Sequence, residues 1–146
     1  MCNKNGENLE KCLIIIKPDV LIHRKLGKII SSIENTGVKI ISMRLIKLDK
    51  NDVEKIYTEH KQKEYYHSLI SSFLIGPCVI LIVIGKNCIY KINKIKYIIR
   101  NKFSINGRTW AVMHASSSEE ETEFEIKIFK KYIDDYCWKE KVTKWK

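Results

Sequence analysis

The sequence predicts an α+β fold in which one mainly antiparallel, four-stranded sheet is covered by helices. Three observations point there. Two aliphatic runs, Cys12 to Ile16 and Cys78 to Ile84, have the length and the turn-forming neighbours of buried strands. Several other stretches carry apolar residues at spacings of three and four, the repeat of a helix with one buried face. The strand-like segments are few, and they lack the long β-α alternation from which parallel sheets are built.

Taken in order, Cys12 to Ile16 ends at Lys17-Pro18-Asp19, where proline cannot donate to a sheet ladder, so Lys17 emerges at the strand's end. Leu26, Ile29, Ile30 and Ile33 then make a helix terminated by Gly37. From Val38 to Leu48 apolar and basic residues alternate with one phase change at Ile40-Ile41, as in a half-buried strand with a bulge. Asn51 or Asp52 can cap a helix carrying Val53, Ile56 and Tyr57, and a second short helix over about 65–73 stops at Gly76-Pro77. Cys78 to Ile84 is an all-aliphatic central strand, and 87–99 is helical in pattern through Ile89, Ile92, Ile95 or Lys96, and Ile99. Trp110-Ala111-Val112-Met113 reads as the last strand, and Ser118-Glu119-Glu120-Glu121 opens the last helix with a capping box whose acids suit the positive end of the helix dipole. The order β-α-β-α-α-β-α-β-α packs most economically in the ferredoxin-like manner.

No internal boundary or repeat appears, so residues 1–146 are expected to form one domain, with a core from about 11 to 131 and a C-terminal extension over 132–146. Lysine and arginine outnumber aspartate and glutamate by 27 to 17, a net charge of +10 that favours phosphate-bearing ligands, nucleic acid or acidic surfaces, and is equally compatible with solvated surface lysines. Five widely spaced cysteines, with no C-x-x-C and no paired histidine spacing, read as reduced thiols in a cytoplasmic protein rather than a zinc site. The longest apolar run is too short to span a bilayer, so no membrane partner is expected.

The chemistry concentrates at His114, set between the last strand and the last helix. A lone histidine at a strand end is usually structural. Here Glu125 shares a helix face with Phe129 and Tyr132 and so points inward, while Phe124, Ile128, Tyr132 and Tyr136 recur at spacing four. An inward carboxylate needs a partner. If Glu125 holds one nitrogen of His114, the tautomer is fixed and the other nitrogen is left to act as a nucleophile. A salt bridge from Glu125 to Lys127 or Lys130 is the competing reading.

Five segments agree in order and nearly in spacing: Ile14 to Asp19 with its lysine, Gly27-Lys28-Ile29-Ile30, Tyr57-Thr58-Glu59-His60-Lys61 leading to Tyr65-Tyr66, Gly76-Pro77, and His114-Ala115-Ser116-Ser117-Ser118 with Glu125-Ile126. Together, from about Lys11 to Phe129, they resemble the nucleoside diphosphate kinase family. The resemblance implies ping-pong transfer of the γ-phosphoryl of a nucleoside triphosphate, ATP in particular, to a nucleoside diphosphate through phospho-His114. Glu125 orients the ring, Ser116 assists Glu125, and Lys17, Arg100 and the Tyr57 hydroxyl serve the phosphate. Tyr65 and Leu69 are the expected nucleotide contacts, Tyr65 by stacking on a base. Mg2+ is carried on the nucleotide phosphates, with no metal ligand from the protein. The resemblance also implies a homodimer, with higher assembly weak or absent.

Departures from the pattern are as specific. Only fourteen residues separate Gly85 from Arg100, so a loop that closes over the nucleotide in relatives is trimmed. A second phosphate arginine is expected near position 93, which is Asn93, with Lys94 beside it as a substitute point charge; the sugar-contacting asparagine becomes Ala111, and an aspartate becomes Ser117. Arg100 and Arg108 compete as the phosphate ligand. These changes predict weaker nucleotide binding. They also motivate an alternative, a scaffold of impaired activity working through protein contacts, and the net charge motivates a third, a nucleic-acid-binding module, disfavoured by the aliphatic strands.

Overall fold

The computed structural model describes residues 6, 8–104 and 111–133. Strand β1 (Glu10–Ile16) leads into α1 (Pro18–Ile22) and α2 (Leu26–Glu34), then β2 (Lys39–Ile46), α3 (Lys50–Ile56), a 3-10 turn (Thr58–His60) and α4 (Tyr66–Leu74). Strand β3 (Cys78–Gly85), α5 (Cys88–Phe103), β4 (Met113–Ala115), α6 (Glu119–Ile128) and a second 3-10 turn (Lys130–Tyr132) follow. The four strands form one sheet in the order β2-β3-β1-β4, with every neighbouring pair antiparallel. This is the α+β, ferredoxin-like arrangement expected from the sequence.

Alternation along the central strands divides the core between the two faces of the sheet. Cys12, Ile14 and Ile16 of β1 join Leu81 and Val83 of β3 on one face, packed against Ile29 and Ile33 of α2 and Ile92 and Ile99 of α5. Leu13, Ile15 and Ile80 occupy the other, under Val53 of α3, Leu69 and Phe73 of α4, and Phe129. In β4, His114 pairs with Ile15, which puts the imidazole on this second face. Lys17, two residues beyond Ile15 and still extended (φ −79°, ψ 161°), falls on it as well.

Local structure departs from expectation in three places and meets it in a fourth. The cap of α3 is Asp49, whose carboxylate accepts from Asn51 N at 3.0 Å; Asp52 is instead buried, holding Lys131 Nζ at 2.7 Å. The phase change in β2 is the anticipated bulge, between Ile40 and Ser42. The last strand is shorter and later than 110–113 implies, because Val112 adopts φ +76° and Met113 N closes a tight turn onto Ala111 O at 2.9 Å. Such a conformation is costly for a β-branched residue, on the order of 1–3 kcal/mol. It is held by Val112 N donating to Asp19 Oδ2 (3.2 Å), Lys17 N donating to Val112 O (2.9 Å) and a fully buried side chain. In α6 the inward stripe is Thr122, Glu125 and Phe129, and Phe124 points out, 53% exposed; the spacing-four stripe through Phe124 is therefore the wrong face, and Tyr136 lies outside the described residues.

Helix α5 carries the clearest consequence of the trimming. It runs unbroken from Cys88 to Phe103, so only the two-residue turn Lys86-Asn87 separates β3 from the helix that carries Arg100. Its buried positions are Cys88, Ile92, Lys96 and Ile99, which makes Lys96, rather than Ile95, the member of the inward stripe. Among the described residues no helix is long and apolar enough to cross a membrane.

Candidate active site

Glu125 is 1% exposed and accepts two hydrogen bonds, one per oxygen: His114 Nε2 to Oε1 and Ser116 Oγ to Oε2, both 2.8 Å. A carboxylate only accepts, so Nε2 carries the ring proton and Nδ1 keeps its lone pair. Nδ1 lies 3.1 Å from the Tyr57 hydroxyl, which donates to it. Ser116 Oγ sits 3.3 Å from both Leu13 N and Leu13 O. With its single proton on Glu125, the shorter contact, it accepts from Leu13 N, and β1 thereby anchors the orienting acid. The four residues form one chain, Leu13, Ser116, Glu125 and His114, ending in a nucleophilic nitrogen.

Tyr57 stays a phenol. Burial pushes its hydroxyl far above the ordinary tyrosine range, and the Glu125 carboxylate pushes the same way. Its ring packs 5.6 Å from Phe73, and Lys17 Nζ stands 4.2 Å above the Phe73 ring while donating to Ser72 Oγ at 3.1 Å. Lys17 and Nδ1 thus border the same aromatic pair. Lys17 is 1% exposed, and burial first, then the Arg100 guanidinium, lower its pKa from 10.5 to about 7. Arg100 donates from Nε (3.2 Å) and Nη2 (2.8 Å) to Met113 O, hooking α5 onto the edge strand β4 one residue before His114, and among the described residues its Nη1 makes no hydrogen bond.

Of the other expected residues, Arg108 lies outside the described residues. Leu69 is buried in the second-face core, so Tyr65, half-buried with its hydroxyl 2.7 Å from His60 Nδ1, is the side chain presented near the surface. His60 is thereby engaged, and its ring also meets Tyr57 edge-on at 5.7 Å. Lys94 is exposed with its ammonium 5.9 Å from the Tyr90 ring, while Asn93 turns inward and donates to Ser116 O at 2.8 Å. Ser117 does what the missing aspartate cannot: its N–H (2.7 Å) and hydroxyl both donate to Glu121, and these bonds hold that carboxyl below its usual range against the opposing effect of burial. A cleft of about 750 Å³ opens beside this group, lined by Thr58, Glu59, His60, Ser117, Glu121 and Glu125.

Lys96, Ser72, Asp19 and the Val112 turn were missed in the sequence. Lys96 alone had a readable signal, its position four residues after Ile92 and four before Arg100 on the inner stripe of α5.

The family profile described as nucleoside diphosphate kinase matches residues 10–133. The chain belongs to the nucleoside diphosphate kinase family. It is 36% identical over 130 residues to the nucleoside diphosphate kinase of Methanocaldococcus jannaschii, covering 82% of this chain and 92% of the relative. It is also 36% identical over 141 residues to that of Clostridium perfringens, covering 88% and 98%. The fold matches the solved nucleoside diphosphate kinase of Aquifex aeolicus with a TM-score of 0.75 at 22% identity, covering 87% of this chain and all of that one. A halophilic nucleoside diphosphate kinase from Halobacterium salinarum, solved in complex with CDP, gives 0.74 at 20% identity over 94% of this chain and 98% of that one. As a nucleoside diphosphate kinase-family member, the chain is a nucleotide-binding phosphotransferase.

The Lys17 environment has a pH signature. Its pKa is depressed in the folded state, so the cost of the buried ammonium is fully present below about 7 and fades as pH rises toward the unfolded value of 10.5. Lys17→Met removes this term. Urea denaturation of the nucleotide-free protein is expected to show the variant gaining stability relative to wild type at pH 6, with that advantage shrinking steadily to pH 10; an advantage that grows with pH contradicts the assignment.

Proposed function

We propose that the chain moves a phosphoryl group from a nucleoside triphosphate to a nucleoside diphosphate in two half-reactions through phospho-His114. The single observation that carries this reading is the committed Nε2: with its proton on Glu125 at 2.8 Å, only Nδ1 is free to attack. In the first half-reaction the Nδ1 lone pair forms a bond to the γ-phosphorus while the bond from that phosphorus to the bridging oxygen breaks, and the nucleoside diphosphate leaves. The ring becomes cationic, and the Glu125 carboxylate stabilises it in place. The second half-reaction runs the same steps backward onto another nucleoside diphosphate.

Phosphoryl transfer needs position and positive charge more than covalent help from the protein. Lys17, drawn toward its neutral form when buried beside Arg100, regains its proton when an anionic phosphate arrives. Arg100 contributes Nη1. Tyr57 transfers its hydrogen bond from Nδ1 to a phosphoryl oxygen as the N–P bond forms. The base stacks on Tyr65, a contact that does not depend on its identity. The CDP held by the Halobacterium salinarum relative supports nucleotide binding at this fold.

Magnesium fits as a passenger on the nucleotide. Among the described residues, the one group of three metal-capable side chains within 4.8 Å is His114, Glu121 and Glu125, and there the imidazole and Glu125 are already bonded to each other. Mg2+ prefers oxygen ligands and retains water, so phosphate oxygens would be its main support, and of this group Glu121 is the carboxylate not bonded to the imidazole. When bound with the nucleotide it neutralises phosphate charge.

Incubation with γ-labelled ATP and Mg2+ is expected to give an acid-labile, base-stable phosphoenzyme that discharges to added GDP. His114→Asn should abolish labelling without unfolding the domain. Tyr57→Phe should slow labelling about tenfold, the loss of roughly one hydrogen bond in the transition state. Absence of label on folded wild type defeats the reading. We also propose a homodimer: β2 is an edge strand, and Met43 and Leu45 on it are 52% and 60% exposed, apolar surface suited to a second copy. Light scattering should give twice the chain mass, and a hexamer contradicts it.

A further inference from the structure

Along the free edge of β4, α5 aligns Asn93, Lys96 and Arg100, and Lys96 has no part in the chemistry set out above. Lys96 is as enclosed as the reacting histidine, 9% exposed in each case. Its ammonium donates to Asn93 Oδ1 at 2.7 Å and stands 5.4 Å from the Tyr97 ring. Among the described residues it makes no ion pair. An enclosed ammonium with a neutral amide as its bonding partner is a costly arrangement. Arg100, one turn along the same helix, adds to the cost, and burial and Arg100 both act to lower the lysine's pKa. Glu121 and Glu125 attract it from α6, but neither is within ion-pair distance: both oxygens of Glu125 are taken by His114 and Ser116, and Glu121 Oε2 by Ser117.

The lysine is also held in place deliberately. Asn93 Nδ2 donates to both Ile89 O (2.9 Å) and Ser116 O (2.8 Å), which fixes the amide and aims Oδ1 at the ammonium. Ser116 is the residue that binds Glu125, so Lys96 is tied through one amide to the chain that orients His114. The same Asn93 lines a cleft of about 670 Å³ with Lys94, Tyr97 and Ser117, which adjoins the cleft beside Glu121 at Ser117. Lys17, Arg100 and Lys96 are coupled in sequence, Arg100 acting on each of the others. Two buried lysines with a half-buried arginine between them, near a reactive histidine, call for an extended polyanion.

We propose that Lys96 binds the phosphate chain of the nucleoside di- or triphosphate, with Asn93 as its positioning residue. The positive charge missing at position 93 re-enters from the same helix at position 96. The assignment rests on the phosphoryl-transfer reading only for the identity of the ligand.

Calorimetric titration of the full chain with ADP, and separately with inorganic pyrophosphate, tests it. Lys96→Met should weaken both ligands about ten- to a hundredfold, the loss of a hydrogen bond to a charged group. Lys96→Arg should recover most of the affinity, which a purely packing role for the side chain does not predict. Unchanged affinity in Lys96→Met, or Lys96→Arg binding no more tightly than Lys96→Met, overturns the proposal. Should Lys96→Met fail to give a folded circular dichroism spectrum, Asn93→Ala decides: weaker ADP binding supports the site and wild-type affinity overturns it. A wild type that takes no label from ATP while ADP affinity still depends on Lys96 removes the transfer reading and leaves the phosphate site. Labelled wild type with ADP affinity indifferent to Lys96 removes only the site.

Discussion

A carboxylate sealed inside the protein, Glu125, sets the terms for everything around it. It survives burial because each oxygen receives a donor at 2.8 Å, one from His114 and one from Ser116. Neither donor is expendable, since a half-satisfied buried acid is more costly than a neutral residue in its place. The serine in turn leans on the backbone of β1 at Leu13. The register between β1 and β4, which sets Ile15 opposite His114, is therefore part of the nucleophile's construction. Even the turn at Val112 belongs to it. By placing a β-branched residue at φ +76° and bracing it with Asp19, the chain turns into β4 so that His114 enters the strand with its ring on the second face.

Positive charge approaches His114 from two directions. Lys17 arrives from the end of β1 across the Phe73 and Tyr57 rings, and Arg100 arrives from α5 by way of Met113 O. Burial weakens the protonation of both, and the Arg100 guanidinium adds to the penalty on Lys17. In the proposed reaction a polyanionic substrate relieves that cost on arrival, so part of its binding energy is already present in the empty protein. The trimmed segment before Arg100 fits the same logic. Running as one helix, the region places polar residues along the edge of β4, where Asn93 donates to Ser116 O.

Much of this was legible from residue patterns. The aliphatic strands, the glycine-terminated second helix and the Ile40-Ile41 phase change are local signals, and each reappears at its position. His114, Glu125 and Ser116 were readable because an inward acid demands donors. What stayed hidden is what depends on three-dimensional neighbours. Asp49 outcompeted Asn51 and Asp52 as a cap because Asp52 was drawn into the Lys131 and Tyr132 cluster, a contact 79 to 80 residues away along the chain. Phe124 completed a convincing stripe, yet the helix rotated to bury Glu125, since satisfying a carboxylate with two neighbours outweighs one more ring in the core. Lys96 stood on an apolar stripe where a lysine is least expected, and only Asn93 and Arg100 beside it give the position meaning.

The central claim is that Glu125 leaves Nδ1 as the reacting nitrogen of His114. The most direct measurement is correlated 15N and 31P magnetic resonance of the phosphorylated, isotope-labelled protein, which identifies the ring nitrogen bonded to phosphorus. Phosphorus coupled to Nδ1, with a proton retained on Nε2, is the result this arrangement requires. Phosphorus on Nε2 contradicts it, because that nitrogen is then no longer the donor to Glu125.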